Sequence, residues 1–204
     1  SNLSPDYYGT IAAGLLEKRK TADEYGRRAI DNIIALSDKY RAEAERIGRT
    51  DIAEVLTQVP RYPARSFREA LQFFRILHFA LWLEGNYHNT IGRLDKYIYP
   101  YLKKDIENGV LDRNSALELV EDFFLSFNKD SDLYPGVQQG DNGQSMMLGG
   151  IDENGNSVFN LLSELCLEAS YNNKLIDPKI NLRVGKDTPQ EIYTKASHLT
   201  KAGL

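Results

Sequence analysis

The first stretch with a clear helical period of apolar positions lies in the first quarter of the chain. Apolar side chains recur there every three or four residues, at Ile30, Ile33, Ile34, Tyr40, Ala44 and Ile47, as on one face of an α-helix. Thr21 and Glu24 precede this stretch with the spacing of a capping box, in which both side chains satisfy amide donors. Gly48 favours a helix end. The pattern predicts one helix over residues 21–48.

A second helix is predicted to begin at Ser66, with Glu69 as its capping-box partner. Residues 70–83 are apolar on almost every side of this helix. The exceptions form one narrow strip, which consists of Gln72, Arg75 and His78. A helix that is apolar all round is buried within a larger structure. We therefore expect His78 to be a hydrogen-bonded core residue, and more protein to surround this helix than 204 residues supply.

The middle of the chain predicts two further helices and a loop. Residues 95–108 have a helical pattern with a kink expected at Pro100. Asp112 is placed to cap the next helix, whose apolar face comprises Ala116, Leu119, Val120, Phe123 and Phe127. Residues 129–143 are polar and predict a long loop. Five of its polar side chains are candidates for an active-site wall, with solvated loop as the alternative: Tyr134, Gln138, Gln139, Asn142 and Gln144.

The last third alternates between strand and helix patterns. A strand is predicted over residues 144–148, a helix over 158–170 and a second strand where Ile180, Leu182 and Val184 alternate with polar residues. Thr188 is predicted to cap a final helix that ends at Gly203. This order favours a parallel α/β unit, and two strands alone leave unpaired edges. The predicted fold is mostly α with a few strands, a single segment over residues 1–204 whose sheet is incomplete.

Composition and charge exclude several functional classes. The chain has a net charge of −4 and no basic block, so nucleic-acid and membrane partners are not expected. The single cysteine fits a reducing compartment, and we expect a cytoplasmic protein. Neither zinc-ligand nor calcium-loop spacing occurs, so no metal is expected.

The best candidate for ligand recognition is the polar loop over residues 86–93, which lies between two helical patterns. His88 can donate, accept or change charge near neutral pH, and Asn89 offers both a donor and an acceptor. Arg93 can hold a carboxylate or phosphate through two parallel bonds. We predict that these three residues bind substrate. The alternatives are a backbone bond for His88 and a structural salt bridge or helix cap for Arg93 and Asp95.

Several motifs in family order give the chain a resemblance to glycyl radical enzymes, the pyruvate formate-lyase-like superfamily. The longest are PARSFREALQ at residues 63–72 and GRLDKYIYPY at 92–101, the latter followed by KKDI at 103–106. Shorter ones are LGG at 148–150, LCLEA at 165–169 and NLRV at 181–184. Residues 188–204 resemble the helix that precedes the next barrel loop.

The resemblance implies a segment of a ten-stranded α/β barrel wrapped in helices, from a much longer enzyme. In such enzymes one loop carries a cysteine that becomes a thiyl radical, and a later loop carries the glycine that stores the radical. A separate S-adenosylmethionine-dependent iron–sulfur activase generates the glycyl radical. The motifs lie upstream of both loops, so no catalytic residue and no bound cofactor are expected in residues 1–204. Cys166 is interpreted as a helical core residue, and Gly185 as the end of a strand.

The resemblance also implies a substrate role for part of the polar loop. In the family's diol dehydratases, a His and a Ser at the matching place contact substrate hydroxyls. Here the His matches His88, Asn89 replaces the Ser, and the loop is one residue shorter.

Three hypotheses about function follow. The first is a segment of a glycyl radical lyase or dehydratase that breaks a C–C or C–O bond in a small polar substrate, inactive alone and expected to form a homo-oligomer. The second is a small helical scaffold or binding domain without catalysis. The third is pyruvate formate-lyase (formate acetyltransferase) activity itself.

Overall fold

The computed structural model describes residues 2–83, 88–129 and 143–204. The chain divides into two compact units, Pro5–Gly85 and a second unit of Ser1–Ser4 with Asn86–Leu204. The predicted break at Gly85 and the loop residues 130–142 lie outside the described residues. No helix in the described ranges is both long and apolar enough to cross a membrane.

Five helices make up the described part of the first unit. They are α1 (Tyr7–Ala13), α2 (Leu15–Thr21), α3 (Glu24–Arg46), α4 (Thr50–Gln58) and α5 (Phe67–Leu83). The predicted capping box at Thr21 is wrong, because Thr21 is the last residue of α2. Asp23 caps α3 instead, with its carboxylate accepting from the amide of Gly26 at 2.7 Å. Three short helices, α1, α2 and α4, were not predicted.

The start of α5 follows the prediction in part. The Ser66 hydroxyl accepts from the Glu69 amide at 3.2 Å, whereas the Glu69 carboxylate accepts from the amide of Arg65 at 2.7 Å. Most of the buried side chains lie in the first half of the helix: Phe67, Ala70, Leu71, Phe73 and Phe74. Residues 79–82 are half-buried and Leu83 is 65% exposed. The helix is therefore covered all round only at its N-terminal end.

The described part of the second unit contains four short strands in two parallel pairs. They are β1 (Asn2–Leu3), β2 (His88–Asn89), β3 (Ser145–Gly149) and β4 (Lys179–Arg183). β1 pairs with β2 and β3 pairs with β4, both in parallel, and a parallel bridge joins Gly92 to Met146. The segment over residues 88–92 thus touches β1 at one end and β3 at the other. The predicted parallel α/β unit is confirmed, with the helix between β3 and β4 as its crossover.

The helices of this unit are α6 (Leu94–Tyr97), α7 (Tyr99–Glu107), α8 (Arg113–Asn128), α9 (Leu161–Asn173) and α10 (Gln190–Lys201). The expected kink at Pro100 is wrong, since the helix divides at Ile98 and Pro100 lies in the first turn of α7. Proline has no amide to lose in a first turn. Asp112 caps α8 as predicted.

Two predicted helix starts need correction. α9 begins after Asn160, whose side chain accepts from the amides of Leu162 and Ser163, and not at residue 158. Thr188 does not cap α10, because its hydroxyl accepts from the amide of Gly185 at 2.9 Å. At the other end, Ala202 is the C-cap, and Gly203, the predicted cap, follows it with a left-handed φ of +84°. The described fold is mostly helical with few strands, as the sequence predicted.

Candidate functional site

His88 and Asn89 occupy the short parallel strand β2. The strand pairs with β1, with His88 opposite Asn2 and Asn89 opposite Leu3. Successive side chains of a strand point to opposite faces, and accordingly His88 is exposed whereas Asn89 is fully buried. The two predicted binding residues are therefore neighbours in sequence that lie on different faces of β2.

A glycine makes room for the His88 ring. Gly143 has a φ of +65°, and a Cβ atom there would overlap Nδ1 of His88. Its carbonyl accepts from the amide of Ser145 at 3.0 Å, at the start of β3. A residue other than glycine would push the imidazole away, so this position favours glycine for both conformation and space.

The residues after His88 and Asn89 are held against β3. The Ile91 amide and the Thr90 hydroxyl both donate to the carbonyl oxygen of Ser145, at 2.8 and 3.0 Å. One step further along, the Met147 amide donates to the carbonyl of Gly92 at 2.9 Å. These bonds fix where the segment that begins at His88 lies along β3.

Arg93 lies at the other end of this segment from His88. Its Nη2 donates to the carbonyl oxygen of Gly149 at 2.5 Å. Its Nε is buried and has no hydrogen-bond acceptor among the described residues. The structure therefore does not bring the guanidinium next to the imidazole, and a substrate role for Arg93 remains a prediction.

Asp95 forms a buried polar centre beside Arg93. Its Oδ2 accepts from the Gly149 amide at 2.6 Å and from the Ser163 hydroxyl at 2.9 Å, and its backbone carbonyl accepts from the Asn160 side chain at 2.8 Å. Burial raises the pKa of the Asp95 carboxyl, and these bonds offset only part of that rise. Of the alternatives considered for Asp95, a structural role fits these contacts.

A second buried polar group lies just before the N-terminal ends of β3 and β4 and includes Gln144 and Asp177. Gln144 is fully buried, and its Nε2 donates to the carbonyl of Phe127 at 3.0 Å and to Oδ2 of Asp177 at 3.2 Å. Asn128 donates to the Asp177 carbonyl at 2.8 Å. The solvated-loop interpretation of Gln144 is thus wrong. Sequence patterns do not reveal this network, because two of its three bonded pairs are 33 and 49 residues apart. The other four candidates for the wall lie outside the described residues.

The two residues that could be mistaken for radical carriers have structural positions. Cys166 is fully buried in α9. Burial raises the pKa of its thiol, and the charge of Asp95 adds to that rise. Gly185 follows β4 and donates its amide to Thr188. Cys166 is confirmed as a core residue and Gly185 as a residue at the end of a strand.

The two other histidines, His78 and His198, lie in the core of the first unit and on the surface of α10. Nδ1 of His78 lies 2.6 Å from the hydroxyl of Tyr7 within the core of the first unit, as predicted for a core histidine. His198 is exposed on α10. Within the described ranges, no three His, Cys, Asp or Glu residues are grouped closely enough to hold a metal ion.

Comparison with known proteins places this arrangement in a family. The model of the pyruvate formate lyase-like family matches residues 15–204, and the chain belongs to that family. It is 28% identical over 192 residues to trans-4-hydroxy-L-proline dehydratase from Clostridioides difficile, an alignment that covers 87% of this chain and 24% of the relative. It is 27% identical over 205 residues to (2S)-3-sulfopropanediol dehydratase from Klebsiella oxytoca, with 97% of this chain and 24% of the relative covered.

The fold has close structural neighbours. A structure solved to study 1,2-propanediol dehydration in Roseburia inulinivorans superposes with a TM-score of 0.88 and 26% identity, over 98% of this chain and 28% of that one. The chain spans about a quarter of the length of these curated relatives.

Proposed function

We propose that this chain is the part of a glycyl radical lyase or dehydratase that supplies helical scaffold, parallel strands and one wall of the pocket for a small polar substrate. The main support is the family match over residues 15–204. Curated relatives with named activities include two dehydratases and the glycyl radical subunit of a decarboxylase. These enzymes have in common the cleavage of a bond to a carbon atom of a small molecule.

Within that pocket wall, His88 is the residue that contacts the substrate. Its side chain is exposed on β2, and a glycine at position 143 leaves space for the ring. An imidazole can donate to or accept from a substrate hydroxyl near neutral pH. Asn89 and Arg93 remain proposed as substrate-binding residues. The burial of Asn89 and the bond from Arg93 to Gly149 make His88 the strongest of the three candidates.

The radical chemistry belongs to other parts of the proposed enzyme. Cys166 is fully buried within α9, where no substrate can reach its sulfur, so it does not fit the role of a thiyl cysteine. A radical-activating enzyme that uses S-adenosylmethionine and an iron–sulfur cluster is the proposed protein partner. The proposed setting is the cytoplasm, and the proposed assembly is a homo-oligomer.

An EPR experiment tests the proposed division of labour. The 204-residue chain is incubated anaerobically with an activase, S-adenosylmethionine and a reductant, and the organic radical is measured. No glycyl doublet is expected from the chain, whereas a complete glycyl radical enzyme with its own activase gives the doublet as a positive control. A doublet from the 204-residue chain would contradict the proposal.

A substitution tests the pocket. In an active enzyme that contains this segment, His88→Ala should lower kcat/KM by about 10- to 100-fold, the effect of losing one hydrogen bond of about 1.4–3 kcal/mol. His198→Ala is the matched control, because His198 is an exposed histidine on α10. Equal effects of the two changes would refute the role of His88. Absence of any radical in the complete gene product would favour the alternative, a helical binding domain without catalysis.

A further inference from the structure

Two side chains that follow the His88 strand bind both backbone polar groups of one distant residue. Arg93 Nη2 donates to the Gly149 carbonyl at 2.5 Å, and the Gly149 amide donates to Asp95 Oδ2 at 2.6 Å. The contacts join positions 56 and 54 residues apart. The Arg93 bond has a charged donor, and such bonds are roughly twice as strong as neutral ones. We call Arg93, Asp95 and Gly149 the clamp.

Gly149 is a fixed point at the end of β3. It has a φ of +68°, and a Cβ atom there would lie 3.1 Å from the carbonyl oxygen of Arg183 and 3.2 Å from the Leu182 side chain. Gly149 therefore packs closely on β4 and is also hydrogen-bonded to Arg93 and Asp95. Through Gly149, Arg93 and Asp95 are thus connected to both β3 and β4.

Other bonds also join the 88–92 segment to β3. They include the Ile91 amide and the Thr90 hydroxyl on the Ser145 carbonyl, and the Met147 amide on the Gly92 carbonyl. A slip of one residue in a strand moves every side chain to the opposite face. Such a slip would exchange the exposed place of His88 for the buried place of Asn89.

The geometry points to Arg93 and Asp95 as positioning residues, which set the register of residues 88–92 on β3 and so place His88 and Asn89. Arg93 then acts on the position of His88 through the backbone of Gly149. The inference deepens the proposed function, since the value of that placement rests on the substrate role of His88. The clamp itself is tested without substrate.

Amide hydrogen exchange in the 204-residue chain is the test, read by two-dimensional NMR together with the His88 ring signals. The variants are Arg93→Met, Asp95→Ala and Asp95→Asn. Arg113→Met is the matched control, because Arg113 forms an exposed ion pair with Glu168 in the same unit. Asn is the conservative replacement at position 95, since its side-chain oxygen can still accept from the Gly149 amide.

Arg93→Met and Asp95→Ala should speed exchange at Ile91 and Met147 by about tenfold or more, as opening of the 88–92 segment becomes easier, and should shift the His88 ring signals. In Asp95→Asn, the exchange rates at Ile91 and Met147 should stay within about threefold of those in the parent chain. Arg113→Met should leave these amides and the His88 signals unchanged.

Faster exchange at Gly149 alone, with Ile91, Met147 and His88 unchanged, would overturn the inference, because the clamp would then act only locally. If Asp95→Ala does not fold, Arg93→Met and Asp95→Asn decide the outcome. An Arg93→Met chain with parental rates at Ile91 and Met147 would refute the positioning role. A failed EPR or kinetic test of the proposed function has no bearing on these exchange rates, so the two failures are distinguishable.

Discussion

Asp95 holds a carboxyl group that is fully buried and whose pKa is raised by that burial. Only one of its two oxygens has hydrogen-bond partners among the described residues. A buried carboxylate with an unmatched oxygen costs free energy when it ionises. The residue therefore stabilises the structure through its contacts while its charge works against stability.

This conflict predicts how the stability of the chain relative to Asp95→Asn depends on pH. Because the folded pKa of Asp95 is raised, the stability that it contributes is fully present below the unfolded value, about 3.8, and is lost as the pH rises through the folded pKa. Asn has no charge to bury. The free energy of unfolding of Asp95→Asn should therefore improve relative to the parent chain as the pH rises, as measured by urea denaturation over a pH series.

Asp112→Asn provides a control of opposite sign. Asp112 is an exposed helix cap whose pKa is lowered by the amide and hydroxyl of Ser115. Its contribution is present above about 3.8 and is lost as the pH falls through the folded pKa. The measured quantity is the difference in free energy of unfolding between the parent chain and each variant. If this difference for Asp95→Asn does not change with pH, or changes in the same direction as for Asp112→Asn, burial does not dominate the pKa of Asp95.

The buried pair of Tyr7 and His78 gives a second prediction at this scale. Their hydrogen bond measures 2.6 Å and both side chains are buried. Tyr7→Phe should cost about 1–2 kcal/mol, since it removes one hydrogen bond from the core without changing the packed ring. Urea denaturation followed by the fluorescence of Trp82 measures it, because the indole lies 6.4 Å from the His78 ring.

Tyr8→Phe is the matched control for Tyr7. Tyr8 is the adjacent residue on α1 and is 66% exposed, so the same change there should stay within about 0.5 kcal/mol. Equal costs at the two positions would show that the bond to His78 contributes nothing to stability.

At the scale of elements, long patterns were predicted and short ones were missed. The sequence revealed α3, α5 and α8 because each has several turns of apolar periodicity. α1 and α2 have seven residues each and α4 has nine, too few turns for a periodic pattern to emerge. The cap of α3 was assigned to Thr21 because a capping box has the same spacing wherever it occurs. Asp23 fits the cap equally well, and only the path of the chain through α2 distinguishes them.

The two capped helices of the second unit should differ in their sensitivity to loss of the cap. Asp112→Ala removes one side-chain acceptor from the Ser115 amide and should cost about 1 kcal/mol. Asn160→Ala removes an acceptor for two amides and a donor to the Asp95 carbonyl. Its cost should be about 2 kcal/mol or more, as measured by urea denaturation.

The difference between the caps has a definite cause. The Asn160 side chain ties the start of α9 to α6, whereas Asp112 acts only within its own helix. Equal costs would mean that the bond to Asp95 does not join the two helices. Asn114→Ala is the control, because Asn114 is exposed in the first turn of α8 and does not cap it.

At the scale of the whole chain, sequence motifs identified the family but could not assemble the site. His88 and Asn89 were predicted from local composition as residues of a polar loop, and the loop is wrong for these two residues, because they form the short strand β2. Arg93 was grouped with them because it is only five residues away, yet its partner is 56 residues further along. Contacts over such distances depend on how strands are ordered in the sheet, which a single sequence does not specify. The roles of Gln144 and Asp177 were missed for the same reason.

The outer edge of β4 leads to the last prediction. The Lys179 amide donates to the Gln144 carbonyl on the β3 side, so the amides of Ile180 and Leu182 point to the opposite edge. In the described part of the chain no strand pairs with that edge. Val184, which follows β4, is 48% exposed. Exposed edges of this kind recruit strands from other molecules.

We therefore expect the chain to self-associate, with a light-scattering mass above 23.1 kDa that rises with concentration. Val184→Lys should lower that mass towards the monomer, because a charged side chain at an edge opposes pairing with an identical edge. Val110→Lys is the control, since Val110 is also exposed, at 66%, but lies between α7 and α8. Equal effects of both lysines would point to net charge as the cause, and a monomer at every concentration would show that the edge of β4 does not recruit a second copy.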